Sequence, residues 1–271
     1  MMNKTIIATL LTLITAQAFA ADGHSQTTIS SESAASQQEK EYQDMSDPLA
    51  VYTQAGVGFT DKGLNVKVGQ TYDTGSETTM AMNVIELKGI AGDALGIRNN
   101  EQPLYQGVDD SIDAFRFRNF QVDLTNGRGS QFDINYNVDK ESLDASYSVL
   151  QALPAVGDFQ FYPLAGIGAT VTNTADSGYE LPGTFAVAGM YSKWALTDNI
   201  WVNYNPMWLT TLSGSDDYKA GYYAGESNIL THEFALSYQI NPRTNVRYFA
   251  NWNEKVDFGD GDHRIEVNYQ F

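Results

Sequence analysis

From about residue 49 to the end of the chain, apolar and polar side chains alternate one by one. The final segment is the clearest case. Ile265, Val267, Tyr269 and Phe271 occupy one face, and Arg264, Glu266, Asn268 and Gln270 the other. A period of two is the signature of a strand whose sheet has one apolar and one polar side. The same pattern recurs in Phe132, Ile134, Tyr136 and Val138 against Gln131, Asp133, Asn135 and Asn137. It recurs again in Val246, Tyr248, Ala250 and Trp252 against Asn245, Arg247, Asn251 and Asn253. Twelve strands are expected, near 49–59, 63–73, 78–90, 111–124, 129–138, 142–151, 158–172, 183–195, 199–211, 228–240, 243–255 and 262–271. Ten is the alternative count.

Alternation of this kind fits a soluble sandwich or a membrane barrel, depending on whether the apolar face meets a core or lipid. Three features favour the barrel. The segments are close to the ~9–11 residues that a tilted strand needs to cross a bilayer. Aromatics stand near segment ends, at Tyr72, Tyr191, Trp194, Trp208, Tyr238, Trp252 and Phe271, as interfacial girdles would. The connections alternate as well. Tight turns are expected at Asn126-Gly127-Arg128-Gly129, Pro154 to Asp158, Thr197-Asp198-Asn199 and Asn241 to Thr244. Between them come longer connections at 91–110, 173–182 and 212–227, with Asp139-Lys140-Glu141 as a short exception. The fold class read here is an all-β, antiparallel, up-and-down transmembrane barrel.

The N-terminus reads as an address. Lys4 supplies a positive start, residues 6–14 are apolar apart from threonine, and Ala18-Phe19-Ala20 is a cleavage signal. Residues 21–48 are polar and without period, which fits disorder, a periplasmic tether, or a plug folded into the barrel. The domains expected are a signal peptide at 1–20, this segment, and a barrel over 49–271.

Composition narrows the function. The 271 residues carry a formal charge of −17 and no cysteine. The charge argues against nucleic acid as a partner, and the lack of cysteine excludes thiol chemistry and disulfides. Mean hydropathy is −0.32, and no long apolar run follows the N-terminus, so a helical membrane bundle is excluded.

The signal peptide, the alternation and the terminal aromatic strand resemble Gram-negative outer-membrane β-barrel proteins. In that superfamily the last strand ends in Phe with apolar residues at alternate positions before it, and the barrel-assembly machinery reads this signal. Phe271, Tyr269, Val267 and Ile265 match it. The resemblance implies outer-membrane lipids, lipopolysaccharide, the assembly machinery and small solutes as partners, and no cofactor. Within the superfamily, twelve strands occur in oligosaccharide porins, a nucleoside channel and a phospholipase. The phospholipase pattern needs a Ser two residues from a His, and Phe234 and Ile265 stand in those positions here.

The leading reading is a small porin-like channel that is not an enzyme, narrow and weakly cation-preferring. A non-conducting surface barrel is the alternative. A surface hydrolase built on Asp262-His263 and the acidic pairs Asp109-Asp110 and Asp216-Asp217 ranks behind both. No catalytic or metal-binding residue is assigned. Candidate pore-lining residues are Lys67, Arg116, Arg118, Asp133, Asp144, Glu233, Arg247, Arg264 and Glu266. Each could act in selectivity or brace the wall by pairing with a neighbour. In the fourth strand the apolar face changes phase, from Phe115 and Phe117 to Phe120, Val122 and Leu124. A β-bulge near Asn119 would reconcile the two and leave Arg116 and Arg118 inward.

Overall fold

The structure is a computed structural model, and it describes residues 42–92, 94–97 and 112–271. The signal peptide, its cleavage site, residues 21–41 and the Asp109-Asp110 pair lie outside the described residues.

Twelve antiparallel strands close into one barrel. They are β1 (Gln54–Thr60), β2 (Gly63–Tyr72), β3 (Thr79–Ile90), β4 (Ala114–Asp123), β5 (Arg128–Asn137) and β6 (Ser142–Gln151). Then come β7 (Phe159–Thr174), β8 (Gly178–Ala195), β9 (Ile200–Gly214), β10 (Asn228–Asn241), β11 (Thr244–Asn253) and β12 (Asp262–Gln270). Each strand pairs with its sequence neighbours, and β1 closes the ring on β12, from Gln54 opposite Gln270 to Thr60 opposite Arg264. Closure leaves no free edge, the condition for a sheet in lipid.

The alternation becomes an inside and an outside. Val267 is 47% exposed and Asn268, its neighbour, 2%. Val57, Phe59, Val149, Ile167, Leu236 and Ile265 share the outer face, where the usual rule of apolar residues inside is inverted because lipid is the surrounding solvent. Of the expected girdle, Trp194, Trp208, Tyr238 and Phe271 point outward. Tyr191 does not. It is three residues from Trp194, so a strand cannot place both on one face, and its hydroxyl donates to Gln131 Oε1 inside the barrel at 3.0 Å.

Three other expectations are corrected. The first strand begins at Gln54 rather than residue 49, and residues 42–53 make no strand. The connection expected at 173–182 shrinks to residues 175–177, because β7 and β8 run on past their apolar stretch. Above the membrane neither face needs to be apolar, so the pairing continues after the pattern has stopped. Likewise β9 extends to Gly214 and is followed by a short helix, α1 (Asp216–Gly221).

The third correction concerns β4, which has no bulge. It pairs without a break, from Ala114 to Asp123, with both β3 and β5. Arg116, Arg118, Phe120 and Val122 therefore share the inner face. The outward amides in the second half of the strand are satisfied by one another. Asn119 donates to the Tyr72 hydroxyl at 2.7 Å and to Asn83 Oδ1 at 2.8 Å. The phase change marks an apolar patch inside the barrel, and its partner is the N-terminal segment described below.

The terminal residue gives the first test. The Phe271 N–H donates to the Thr53 carbonyl at 3.0 Å, and its ring meets Tyr269 edge-on at 5.1 Å while remaining exposed. Deleting Phe271 is expected to leave export intact and to lower the yield of heat-modifiable folded barrel in the outer membrane. An unchanged folded yield on unheated gels would refute the role given to this residue.

Candidate functional site

All nine candidate pore-lining residues face the lumen, where they line three cavities. Most of the charge is paired. Arg116 Nε donates to Asp133 Oδ1 at 2.9 Å, with Nη2 on the second carboxylate oxygen. Arg118 pairs with Glu86. Lys67 reaches Glu266 at 2.7 Å, and Arg264 approaches the same carboxylate at 3.3 Å. Arg247 bonds instead to Ser237 Oγ at 3.0 Å and Asn203 Oδ1 at 2.8 Å. Arg247 and Arg264 flank the inward ring of Phe249, at 4.6 and 4.3 Å from its centroid. Glu233 accepts from Asn205 Nδ2 at 2.8 Å rather than from an arginine.

The basic residues are not spread evenly. Arg247, Arg264, Lys67, Lys88, Arg116 and Arg118 fall on one continuous arc, from β11 through β12 and β1 to β4. Glu86 and Lys88 were not among the residues expected from sequence. Their signal was present, as two charges spaced by two between Ile85, Leu87 and Gly89. Asp262 and His263, by contrast, point to opposite sides of the wall. Asp262 lines the lumen, and His263 bonds outside to the Tyr248 hydroxyl at 2.7 Å. Alternation forbids this pair from acting together on one substrate.

The three cavities have volumes of about 490, 420 and 370 Å³. Arg116 and Tyr191 line all three, and Arg118, Asn205, Glu233, Asn251 and Asp262 line both of the larger two. These shared residues mark the waist, the level at which an outer and an inner chamber meet.

The inner chamber ends at a strap. Residues 42–53 cross the periplasmic end of the barrel and are tied to most of its circumference. Gln43 exchanges backbone and side-chain hydrogen bonds with Gln270. Asp44 pairs with Lys193 on β8 at 3.1 Å, and Asp47 accepts from the buried Tyr162 hydroxyl on β7 at 2.8 Å. Met45 is buried against Gln239 and Asn245. Leu49 and Val51 lie on the apolar patch of Met80, Met82, Val84, Phe120 and Val122. This contact is the reason that β4 turns apolar residues inward. Burial works to raise the Asp44 carboxyl, but hydrogen bonds from Ser46 and the charge of Lys193 outweigh it and hold it below the usual carboxylate range. Within the segment 21–48, only residues 42–48 are described, and they lie against the barrel through Gln43, Asp44, Met45 and Asp47.

The outer end is narrowed by the β9–β10 connection. Ser215 caps α1 by accepting from the Tyr218 N–H. Tyr218 is buried against Gly183, where a Cβ would run into its ring, and its hydroxyl lies 3.0 Å from Thr170 Oγ1. Tyr222 donates to Asp144 at 2.8 Å. The loop thus folds onto the inner wall instead of standing in solvent.

No protein-family model matches this chain, and no curated protein matches it. Among solved structures it is similar to the NanC porin, with a TM-score of 0.50 and 7% identity over 81% of this chain and 98% of that one. It is also similar to the KdgM porin, with a TM-score of 0.41 and 8% identity over 82% and 99%. The DcaP outer-membrane channel of Acinetobacter baumannii gives a TM-score of 0.37 and 10% identity over 81% and 71%. At these identities the likeness is one of fold. With a closed ring of twelve antiparallel strands, an apolar outer face and a polar lumen, the chain has the architecture of a transmembrane β-barrel, the fold it shares with the NanC porin.

Proposed function

We propose that the protein is a narrow, weakly cation-preferring channel for passive diffusion of small hydrophilic solutes across the outer membrane. The observation that carries this reading is the sharing of Arg116 and Tyr191 by all three luminal cavities, which sets the cavities next to one another between the outer mouth and the strap. Twelve strands enclose a bore between the filled eight-stranded barrel and the open sixteen-stranded porin. The strap and the α1 loop reduce it further. Export through cleavage after Ala20, assembly through the Phe271 signal and contact with lipopolysaccharide belong to the same proposal.

The sign of the preference rests on the lining. Carboxylates (Asp47, Asp61, Glu86, Asp133, Asp144, Glu233, Asp260, Asp262 and Glu266) outnumber basic groups (Lys62, Lys67, Lys88, Arg116, Arg118, Arg247 and Arg264) by a small margin. Arg116 and Arg118, at the waist, are each matched by a carboxylate. In a planar bilayer the purified protein is expected to give small conductance steps and a reversal potential favouring K⁺ over Cl⁻. The preference should fade at molar salt, where screening shortens to about 3 Å. Replacing both arginines by glutamine should strengthen it. A chloride preference that the double variant abolishes would overturn the proposed sign. No steps at all, even without the strap, would favour the non-conducting barrel.

A further inference from the structure

One wall of the lumen does not suit a purely hydrophilic passage. Between β5 and β9, beneath the α1 loop, the cavity of about 370 Å³ changes character along the barrel axis. At its outer end stands Asp144. Its carboxylate accepts from Thr170 Oγ1 at 2.6 Å and from the Tyr222 hydroxyl at 2.8 Å, both uncharged donors. Deeper in, one wall of the lining is apolar, made by Leu150, Leu164, Phe185, Val187, Met207 and Leu209, and faces Gln131, Ser146 and Ser148 across the cavity's polar side. The Tyr223 hydroxyl on the same cavity is buried and has no hydrogen-bond partner among the described residues. The other carboxylate present, Asp133, is already matched by both guanidinium contacts of Arg116.

Apolar surface facing a water-filled lumen is unfavourable in proportion to its area, and an occupant with an apolar body would cover it. A carboxylate with only neutral partners favours a cation beside it, more strongly next to an apolar wall than in bulk water. The volume lies at the lower end of the range for small-molecule sites, roughly 300–1,000 Å³. An anionic amphiphile is disfavoured because the nearest guanidinium is occupied. We propose that this cavity is a binding site for a small amphipathic ammonium compound. Its aryl or alkyl body would lie on the Leu164–Phe185–Leu209 wall, and its N–H donors on Asp144. The site goes beyond passive diffusion and stands on equilibrium binding, whether or not the lumen conducts.

Calorimetry on the detergent-folded full barrel, strap included, tests this with three probes. Phenethylammonium has both features, ethylammonium lacks the apolar body, and phenylacetate reverses the charge. Phenethylammonium is expected to bind at least about tenfold more tightly than either control, the ratio set by one charge-assisted hydrogen bond. Asp144→Asn should remove that advantage over phenylacetate, whereas Glu233→Gln, at the waist, should keep it. Equal affinity for the three probes overturns the site. So does loss of the advantage in Glu233→Gln but not in Asp144→Asn. If Asp144→Asn does not reach the heat-modifiable folded form, the probe comparison on the unsubstituted protein decides. Binding without conductance refutes the channel and leaves the site standing, while conductance without selective binding does the reverse.

Discussion

Removing residues 43–50 is expected to raise single-channel conductance by a factor of about two or more, because the narrowest section in series dominates the resistance of a pore. The strap crosses the periplasmic mouth and is held there by polar ties at Gln43, Asp44 and Asp47 and by apolar contacts at Met45, Leu49 and Val51. The deletion keeps residues 51–53, which lead into β1. A gentler variant acts on the same element. Val51→Asp places a carboxylate on the patch of Met82, Val84 and Val122, where an unpaired charge is costly, so the strap should detach while the barrel remains closed. Its conductance should then approach that of the deletion. The tie from Asp44 to Lys193 holds at neutral pH. It is lost only as pH falls through the lowered pKa of Asp44, below the ordinary aspartate value. Unchanged conductance in both variants would mean that the strap does not limit the pore.

The second large effect separates the two faces of the wall. Val267→Arg puts a guanidinium into lipid, whereas Asn268→Arg puts it into a lumen that already holds Lys67, Arg247 and Arg264. A charge at the bilayer midplane of a barrel costs ~2–4 kcal/mol. Urea unfolding in vesicles should therefore show the loss for Val267→Arg and a much smaller change for Asn268→Arg. Equal destabilisation at both positions would refute the assignment of the faces.

Both experiments rest on features that differ in how far they could be read from the chain. The faces of β12 are legible because alternation is local. Once Ile265 faces lipid, Arg264 and Glu266 must face in. The same rule placed the nine charged residues on the lumen before any strand pairing was known. It failed at Tyr191, which was grouped with Trp194 on aromatic character although the two are an odd number of residues apart. It failed at β4, where the phase change suggested a bulge. The true cause was the strap, a segment more than sixty residues earlier in the chain, and nothing local announces a partner at that distance.

The sequence by itself determined the barrel and the inside and outside of its wall, because lipid imposes a period of two on every strand that crosses it; closure of the ring decided between twelve strands and ten. Only the tertiary structure decided what occupies the lumen. The strap at one end, the α1 loop folded onto Gly183 at the other, the basic arc from β11 to β4 and the apolar wall beside Asp144 all join residues from distant strands. Inside a closed barrel such neighbours are set by the circumference and the register of the sheet, and these are properties of the whole ring rather than of any one strand.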